Sequence, residues 1–576
     1  MTSLLSVKDL HVGFGRDARA NEVVSGVSFE LQAGQTLGIV GESGSGKSVT
    51  ALSVNRLVDF GGGRITAGKI TLERAGGDVL DLTSASRHQL RQMRGRDIGM
   101  IFQEPMTSLN PVHTIGRQIE EAFRINRGLH GRDSVDAARE VLERVRIPDA
   151  QSRLGYYPHQ LSGGMRQRVM IAMALASAPR LLIADEPTTA LDVTVQAQIM
   201  GLLTELRDET GMAMIFITHD IGLVAGIADQ IMVMQNGVVV EQNDTSSVLD
   251  NPQHDYTKHL LEAVPHFSSG QSARNDGKRA TGVEPVVAVD DLVVRFPTGK
   301  SWLHKGGAVH AVDGVDFDLL PGETLAIVGE SGSGKSTAAR AMLGLVGKTR
   351  GRIDRSTGAE HRPIQMVFQD PYASLNPRLN VESLLAEPAI AAGHRKDQTL
   401  RERMTFLLEK VELSADALTR FPHQFSGGQR QRLCVARALM LNPEILVLDE
   451  AVSALDVSVQ ARVLDLLVEL QQEFGLAYLF ISHDMAVVER IAHRVAVMYA
   501  GQIVEIGDAA SVLANPQHSY TKRLISAVPM VGQRKRHYTL DHTQIPSLVR
   551  AAGYEPPAAR WREVGADHQV RIEEPA

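Results

Sequence analysis

Cysteine occurs once in 576 residues, as Cys434, which excludes an internal disulfide and any metal site or iron–sulfur cluster held by cysteines alone within one chain. Long apolar runs are missing as well. Residues 1–9 show no basic region leading into an apolar stretch, and no later window approaches the roughly 20 apolar residues that span a bilayer. The sequence therefore predicts a chain that does not cross a membrane by itself. Basic charge is not in excess: 60 Lys and Arg against 67 Asp and Glu leave a net charge of −7, with no broad attraction for nucleic acid. Aromatics are few, at 5%, beside 43% hydrophobic and 22% charged residues, the make-up of an ordinary globular protein rather than a disordered or fibrous one. The length exceeds what one hydrophobic core serves.

What the sequence has is a repeat. GESGSGKS stands at 41–48 and again at 329–336. After each copy come, in order, FQ(E/D)P with SLNP, PHQ(L/F)SGG, an apolar run ending in Asp-Glu, ALDV, (T/S)HD, NPQH and YTK. Two copies of one domain account for this. Each half reads as strand, glycine-rich turn, helix and further apolar strands, with Thr36–Val40 and Thr324–Val328 leading into the glycine turns. Alternating strands and helices predict an α/β fold around a mostly parallel, covered sheet. We place the first domain at 1–265, a short polar linker at 266–286, the second domain at 287–530 and an extension at 531–576. The linker is rich in Ser, Gly, Asn, Lys and Arg with no apolar period. The extension opens with Arg534, Lys535 and Arg536 and is expected to fold onto the second domain.

The glycine turns carry chemistry. In G-x-x-x-x-G-K-[ST], glycines let successive backbone N–H groups converge on phosphate oxygens while the next helix aims its positive end at the same anion. The cradle would be Gly41, Ser43, Gly44, Gly46, Lys47, Ser48 and Val49 in the first copy, and Gly329, Ser331, Gly332, Gly334, Lys335, Ser336 and Thr337 in the second. Lys47 and Lys335 would reach the β- and γ-phosphates, and Ser48 and Ser336 would offer a hydroxyl to Mg²⁺. A lone glycine loop can arise by chance; two in register across a repeat do not. The runs LLIADE (181–186) and ILVLDE (445–450) read as buried strands that deliver two carboxylates at their ends. Asp185 and Asp449 suit the metal's coordination sphere, and Glu186 and Glu450 suit polarisation of an attacking water. An acidic pair at a strand end is otherwise often just a helix start. His219 and His483, each after an apolar run and before Asp, would by themselves be read as structural.

As a set, these residues resemble the ATP-binding cassette superfamily, whose distinguishing signature LSGGQ is matched by LSGGM (161–165) and FSGGQ (425–429). The resemblance covers roughly 5–265 and 287–530. It implies two tandem cassettes, each with a helical subdomain bearing the signature, and ATP as substrate. It also implies that Lys47 shares a nucleotide with Ser426 and Gly428, and Lys335 with Ser162 and Gly164. Gln103 and Gln369 match the Q-loop that touches Mg²⁺ and the membrane subunits; Asp192 and Asp456 match the D-loop. His219 and His483 match the switch histidines at the γ-phosphate and join Glu186 and Glu450 as catalytic residues. Neither half lacks a member of the set, so two hydrolysing sites are expected. The departures are Met165 for Gln, Phe425 for Leu, and Ala451 where the first half has Pro187. Phe14 and Phe296 are the candidates for stacking on adenine.

Within the superfamily, FQEPMTSLNP (102–111), FQDPYASLNP (368–377), NPQHDYTKHLLEAVP (251–265) and NPQHSYTKRLISAVP (515–529) look like the dipeptide, oligopeptide and nickel importer group. This resemblance implies an energy-coupling subunit, peripheral on the cytoplasmic side of the cell (inner) membrane. It would work with two integral membrane permease subunits and an extracytoplasmic solute-binding protein. Peptides are the expected solute, with nickel and glutathione as alternatives. The stretch IPSLVRAAGYEPP (545–557) resembles the segment where relatives carry cluster-binding cysteines; with Tyr554 and no cysteine there, no iron–sulfur cluster is expected. A soluble tandem cassette ATPase acting on ribosomes is the rival reading, but those relatives carry a long charged helical linker. A DNA-repair cassette ATPase would need inserted zinc-binding cysteines.

Overall fold

The computed structural model describes residues 3–263, 283–528 and 546–572, apart from 16, 75, 190, 299–306, 356–362, 454, 552, 558 and 566. Most of the expected linker, and Arg534, Lys535 and Arg536, lie outside the described residues. The chain forms two compact units, one built on each motif set.

In the first unit, five-residue runs such as TLGIV and LLIAD are mostly apolar and buried at every position, the pattern of strands covered on both faces. They form β3 (Thr36–Val40), β6 (Ile98–Ile101), β7 (Leu181–Asp185), β8 (Ala213–Thr218), β9 (Gln230–Gln235) and β10 (Val238–Asp244), in the order β10-β9-β3-β8-β7-β6. All neighbours are parallel except β10, which returns antiparallel to β9. Side chains alternate faces along a strand, so Leu181 and Ile183 enter one core while Leu182 and Ala184 enter the other. One core is shared with a four-stranded antiparallel sheet of β1 (Leu5–Phe14), β2 (Glu22–Leu31), β4 (Gly63–Glu73) and β5 (Val79–Asp81), in the order β2-β1-β4-β5. The other is roofed by helices that include Ile115–Arg127, Arg132–Arg144 and Gly163–Leu175.

The second unit repeats this plan and adds to it. Its core sheet comprises β13 (Thr324–Val328), β15 (Ile364–Val367), β16 (Ile445–Asp449), β17 (Ala477–Ser482), β18 (Arg494–Tyr499), β19 (Gln502–Asp508), β21 (Trp561–Gly565) and β22 (His568–Arg571). The order is β15-β16-β17-β13-β18-β19-β22-β21. Its antiparallel sheet comprises β11 (Val287–Pro297), β12 (Gly307–Leu319), β14 (Arg350–Arg355) and β20 (Val549–Ala551), in the order β14-β11-β12-β20. Residues beyond 545 thus add one strand to the antiparallel sheet, β20 beside β12, and two to the core sheet, the β21–β22 hairpin beside β19. No helix among the described residues is long and apolar enough to cross a membrane.

Phe216 on β8 and Phe480 on β17 are fully buried at the centre of these sheets. Replacing either by Ala should cost its unit about 3–5 kcal/mol through lost burial and a residual cavity. Urea unfolding that places either variant within about 1 kcal/mol of the parent would contradict this packing.

Candidate functional site

Parallel strands end on the same side, so the turns that follow them gather at one edge of the sheet. β3 ends at Val40, and residues 41–46 turn directly into the helix Lys47–Val54; β13 does the same into Lys335–Met342. Glycine is required at two places in each turn. Gly41 and Gly329 pass so close to the neighbouring strand that an added Cβ would lie 2.2 Å from the carbonyl oxygens of Met234 and Met498. Gly46 and Gly334 cap the helices in the left-handed region, with φ of 97° and 108°. Gly44 and Gly332, both at φ 81°, and Ser43 and Ser331 lie in the turns between.

Lys47 and Lys335 are buried at the first residue of their helices. Lys47 Nζ donates to the carbonyls of Gly41 (2.7 Å) and Glu42 (2.8 Å), and Lys335 Nζ to those of Gly329 and Glu330 (both 2.8 Å). Each ammonium is drawn back across its own loop, at the mouth of the turn. Burial pushes the Lys335 ammonium below its ordinary pKa, against the pull of Glu450. One residue on, Ser48 Oγ donates to Asp185 Oδ1 at 2.9 Å and Ser336 Oγ to Asp449 Oδ1 at 2.7 Å. Val49 and Thr337 follow in the same first helical turns.

Asp185 and Asp449 are the last residues of β7 and β16, and the glutamates after them bend out of the strands. Glu186 and Glu450 adopt φ of 46° and 49°, left-handed conformations that non-glycine residues hold at a cost of about 1–2 kcal/mol. The bend is anchored from the next strand: Glu186 N donates to Ile217 O (2.9 Å) and Glu450 N to Ile481 O (3.0 Å). Both carboxylates then face the other candidates. His219 Nδ1 lies 3.5 Å from Glu186 Oε1 and His483 Nδ1 lies 3.4 Å from Glu450 Oε1. Gln103 Nε2 donates to Glu186 Oε2 (2.9 Å) and Gln369 Nε2 to Glu450 Oε2 (2.7 Å).

These surroundings drive adjacent carboxyls apart in acidity. Burial pushes Asp185 up to about 6, only partly offset by Ser48. Burial also acts on Glu186, but His219, Thr189 and Lys47 outweigh it and hold the group at about 2. The second site repeats the pattern: burial raises Asp449, while His483 outweighs burial at Glu450 and lowers it. His483 in turn is raised, because Glu450 outweighs its burial. The hydroxyl and the desolvated carboxylate of each Ser–Asp pair are hard oxygen donors, a set that fits Mg²⁺ completed by phosphate oxygens and water. Among the described residues no cluster of His, Cys, Asp and Glu is large enough to hold a metal unaided.

The signature residues lie at the starts of helices that pack in the helical layers. Ser162 and Ser426 cap the helices Gly163–Leu175 and Gly427–Leu439, accepting from Met165 N (3.3 Å) and Gln429 N (3.4 Å). Gln429 completes a reciprocal cap by accepting from Ser426 N (3.0 Å); Met165 has no side-chain acceptor to do so. Gly164 and Gly428 lie in the first turns, where a Cβ would press on Val195 at 2.6 Å and Val459 at 2.3 Å. Asp456 caps the helix Val457–Phe474, and Asp192 immediately precedes the helix Val193–Thr210. Phe14 packs partly buried at the end of β1, and Phe296 is 42% exposed near the end of β11.

Two residues of the site were missed by sequence reasoning. Tyr256 and Tyr520 place their hydroxyls on the phosphate-loop backbone, accepting from Glu42 N (2.9 Å) and Glu330 N (2.8 Å). They are the tyrosines of the recurring NPQHxYTK stretch. The signal was visible as a repeat, but nothing in its spacing pointed to a loop 190 or more residues away.

The sequence model described as "ABC transporter" matches residues 24–189 and 312–453. The model described as "Oligopeptide/dipeptide transporter, C-terminal region" matches 240–286 and 504–553. The chain is 49% identical to the glutathione import ATP-binding protein GsiA of Shigella sonnei (strain Ss046), over 99% of this chain and 96% of that protein. It is 50% identical to the protein of the same name from Pectobacterium atrosepticum, over 98% and 96%. Among solved structures, an ATP-binding cassette dimer in a post-hydrolysis state with ADP and Pi is 27% identical, covering 42% of this chain and 98% of its own, with a TM-score of 0.37. The chain belongs to the ABC transporter family, as an ATPase with two cassettes in one polypeptide and two matches to the C-terminal region of its oligopeptide and dipeptide branch.

Proposed function

We propose that both sites bind Mg·ATP and hydrolyse it to drive import of glutathione or a closely related short peptide. The observation that carries the catalytic part is the intact set in both halves: loop lysine, Ser–Asp pair, bent glutamate and histidine. The near-full-length likeness to glutathione import ATP-binding proteins supports the solute. Two membrane permease subunits and an extracytoplasmic solute-binding protein would complete the importer, with this chain on the cytoplasmic face of the inner membrane.

Each residue's part follows from its surroundings. The loop amides and Lys47 or Lys335 neutralise the β- and γ-phosphates. Ser48 with Asp185, and Ser336 with Asp449, would hold Mg²⁺, helped by Gln103 and Gln369; the ion supplies charge neutralisation between phosphates. Glu186 is held ionised by His219, Thr189 and Lys47 against its burial, so its negative charge is available to polarise the attacking water. It would accept a hydrogen bond from that water, draw on its proton as the new bond forms and fix its line of approach, a combination that the neutral amide of Gln cannot supply. His219 and His483 keep that carboxylate in place and sit where a γ-phosphate would end. Ser162, Gly164, Ser426 and Gly428 are the proposed signature contacts to nucleotide.

In steady-state assays the double variant Glu186→Gln/Glu450→Gln should lose about 100-fold or more in kcat while still retaining ATP. Full turnover by the double variant would sink the assignment of the glutamates. Uptake of labelled glutathione by cells carrying the complete importer should fall with it. Purification of the chain with ribosomes and without polytopic membrane proteins would overturn the transport reading. Tyr256→Phe and Tyr520→Phe each remove one acceptor from a loop amide. Each should raise the KM for ATP by about 3- to 10-fold with kcat within about twofold, whereas a purely structural tyrosine would lower expression and leave KM unchanged.

A further inference from the structure

The extension beyond residue 545 has no part in the mechanism above, yet it reaches the second phosphate loop by two separate routes. The first starts at β20, which pairs with β12 at Val309↔Val549, Ala308↔Arg550 and Gly307↔Ala551. His310 N then donates to Leu548 O at 2.8 Å. The next residue of β12, Ala311, backs onto the loop so tightly that a Cβ on Gly334 would lie 2.1 Å from its carbonyl. Two residues further, Asp313 N donates to Gly501 O (2.8 Å), and Gly501 N donates to Ser333 O in the loop itself (2.9 Å).

Side chains fasten this route. Both oxygens of Glu555 are held by Arg295, at 2.9 Å each, a forked pair. Arg295 Nη2 also donates to Asp313 Oδ1 (3.1 Å), and Asp313 Oδ2 lies 2.9 Å from His310 Nδ1. Tyr554 sets its ring edge-on to His310.

The second route starts at β22, which pairs with β19. His568 Nε2 lies 2.7 Å from Glu505 Oε1, and both groups are buried, Glu505 completely. Glu505 also accepts from Gln517 N (2.8 Å) and His518 N (3.0 Å). His518 Nδ1 accepts from Tyr520 N (3.1 Å), and the Tyr520 hydroxyl holds Glu330 N. One route therefore ends at the start of the loop and the other at its close.

Among the described residues, the first unit has the inner links without the outer ones. Ser25 N donates to Gly237 O, Gly237 N to Ser45 O and Glu42 N to Tyr256 Oη, and Glu241 accepts from Gln253 N and His254 N. But β2 and β10, the counterparts of β12 and β19, end their sheets among the described residues. Where Arg295 stands in β11, β1 has Gly13, whose missing side chain would collide with Ala18 O.

We propose that the extension is a positioning brace for the second nucleotide site alone, so that the two sites of the chain differ in affinity for ATP although their catalytic residues match. This rests on the nucleotide reading above, and the test separates the two.

The full chain is compared with Glu555→Ala, which opens the forked pair at a residue that is 57% exposed, and with His568→Gln, which keeps a donor beside Glu505. Hydrogen–deuterium exchange is read on peptides carrying Asp313, Gly501 and Glu330, with those carrying Ser25, Gly237 and Glu42 as internal control. Photolabelling with azido-ATP, mapped to each half, reports each site separately. Either variant should speed exchange at the second loop by about threefold or more and raise its half-labelling concentration about three- to tenfold. The first half should be unchanged in both readouts. Faster exchange confined to 546–572, equal shifts in both halves, or unaltered labelling of the second site would each overturn the brace. A parent chain that takes no label in either half would overturn the nucleotide reading, and the exchange measurement would still decide whether the extension holds the loop.

Discussion

The parallel pairing of the central strands is the constraint on which each site depends. β3 runs in register with β8, Val40 opposite Thr218, and β8 with β7, Ile217 opposite Asp185. Three strands therefore stop together, and the glycine turn, the carboxylate pair and the histidine that follow them have nowhere to go but the same edge. The second unit repeats this register with Val328 opposite Ser482 and Asp449 opposite Ile481. A slip of one residue in β7 would exchange the cores to which Leu182 and Ile183 belong, so the hydrophobic pattern of five residues fixes where the acids emerge.

Given that edge, electrostatics divides the labour between neighbouring carboxyls. Asp185 is delivered in line with the strand, stays desolvated, and has a serine hydroxyl for company; an acid so placed is poised to take a cation. Glu186 turns out through a left-handed bend and meets an imidazole, so it stays ionised without one. The strain of the bend is offset by the anchoring bond to Ile217. Without it, the two carboxylates would point into opposite faces of an extended strand and could not serve one phosphate.

Much of this was legible in the sequence because it depends on short, local patterns. Thr36–Val40, Thr324–Val328 and the runs before Asp185 and Asp449 are strands as their uninterrupted apolar character predicts. The antiparallel sheets were not read, and the pairing explains why: β1 against β2 changes register near Leu10 and again near Val12, and bulges of that kind break the alternation by which a half-buried strand is recognised. The loop tyrosines and the strands of the extension were illegible for a different reason. Their partners are distant in sequence, as His568 is from Glu505, and a three-residue strand such as β20 carries no periodicity at all.

Sheet edges are also where a duplicated domain is free to change. Inside the sheet, a substitution in one copy disturbs packing on both faces. At an edge, an added strand pairs with N–H and C=O groups that were facing water, and displaces nothing. The second copy has taken this course twice, at β12 and at β19. The exchanges that go with it, Gly13 against Arg295 and Glu22 against His310, lie on the hairpin beside the loop and not in it. Divergence of this sort leaves the chemical groups of the two halves the same while changing how firmly the backbone around them is held. For two sites proposed to bind ATP, firmness of the loop is itself a property on which chemically matching sites can differ.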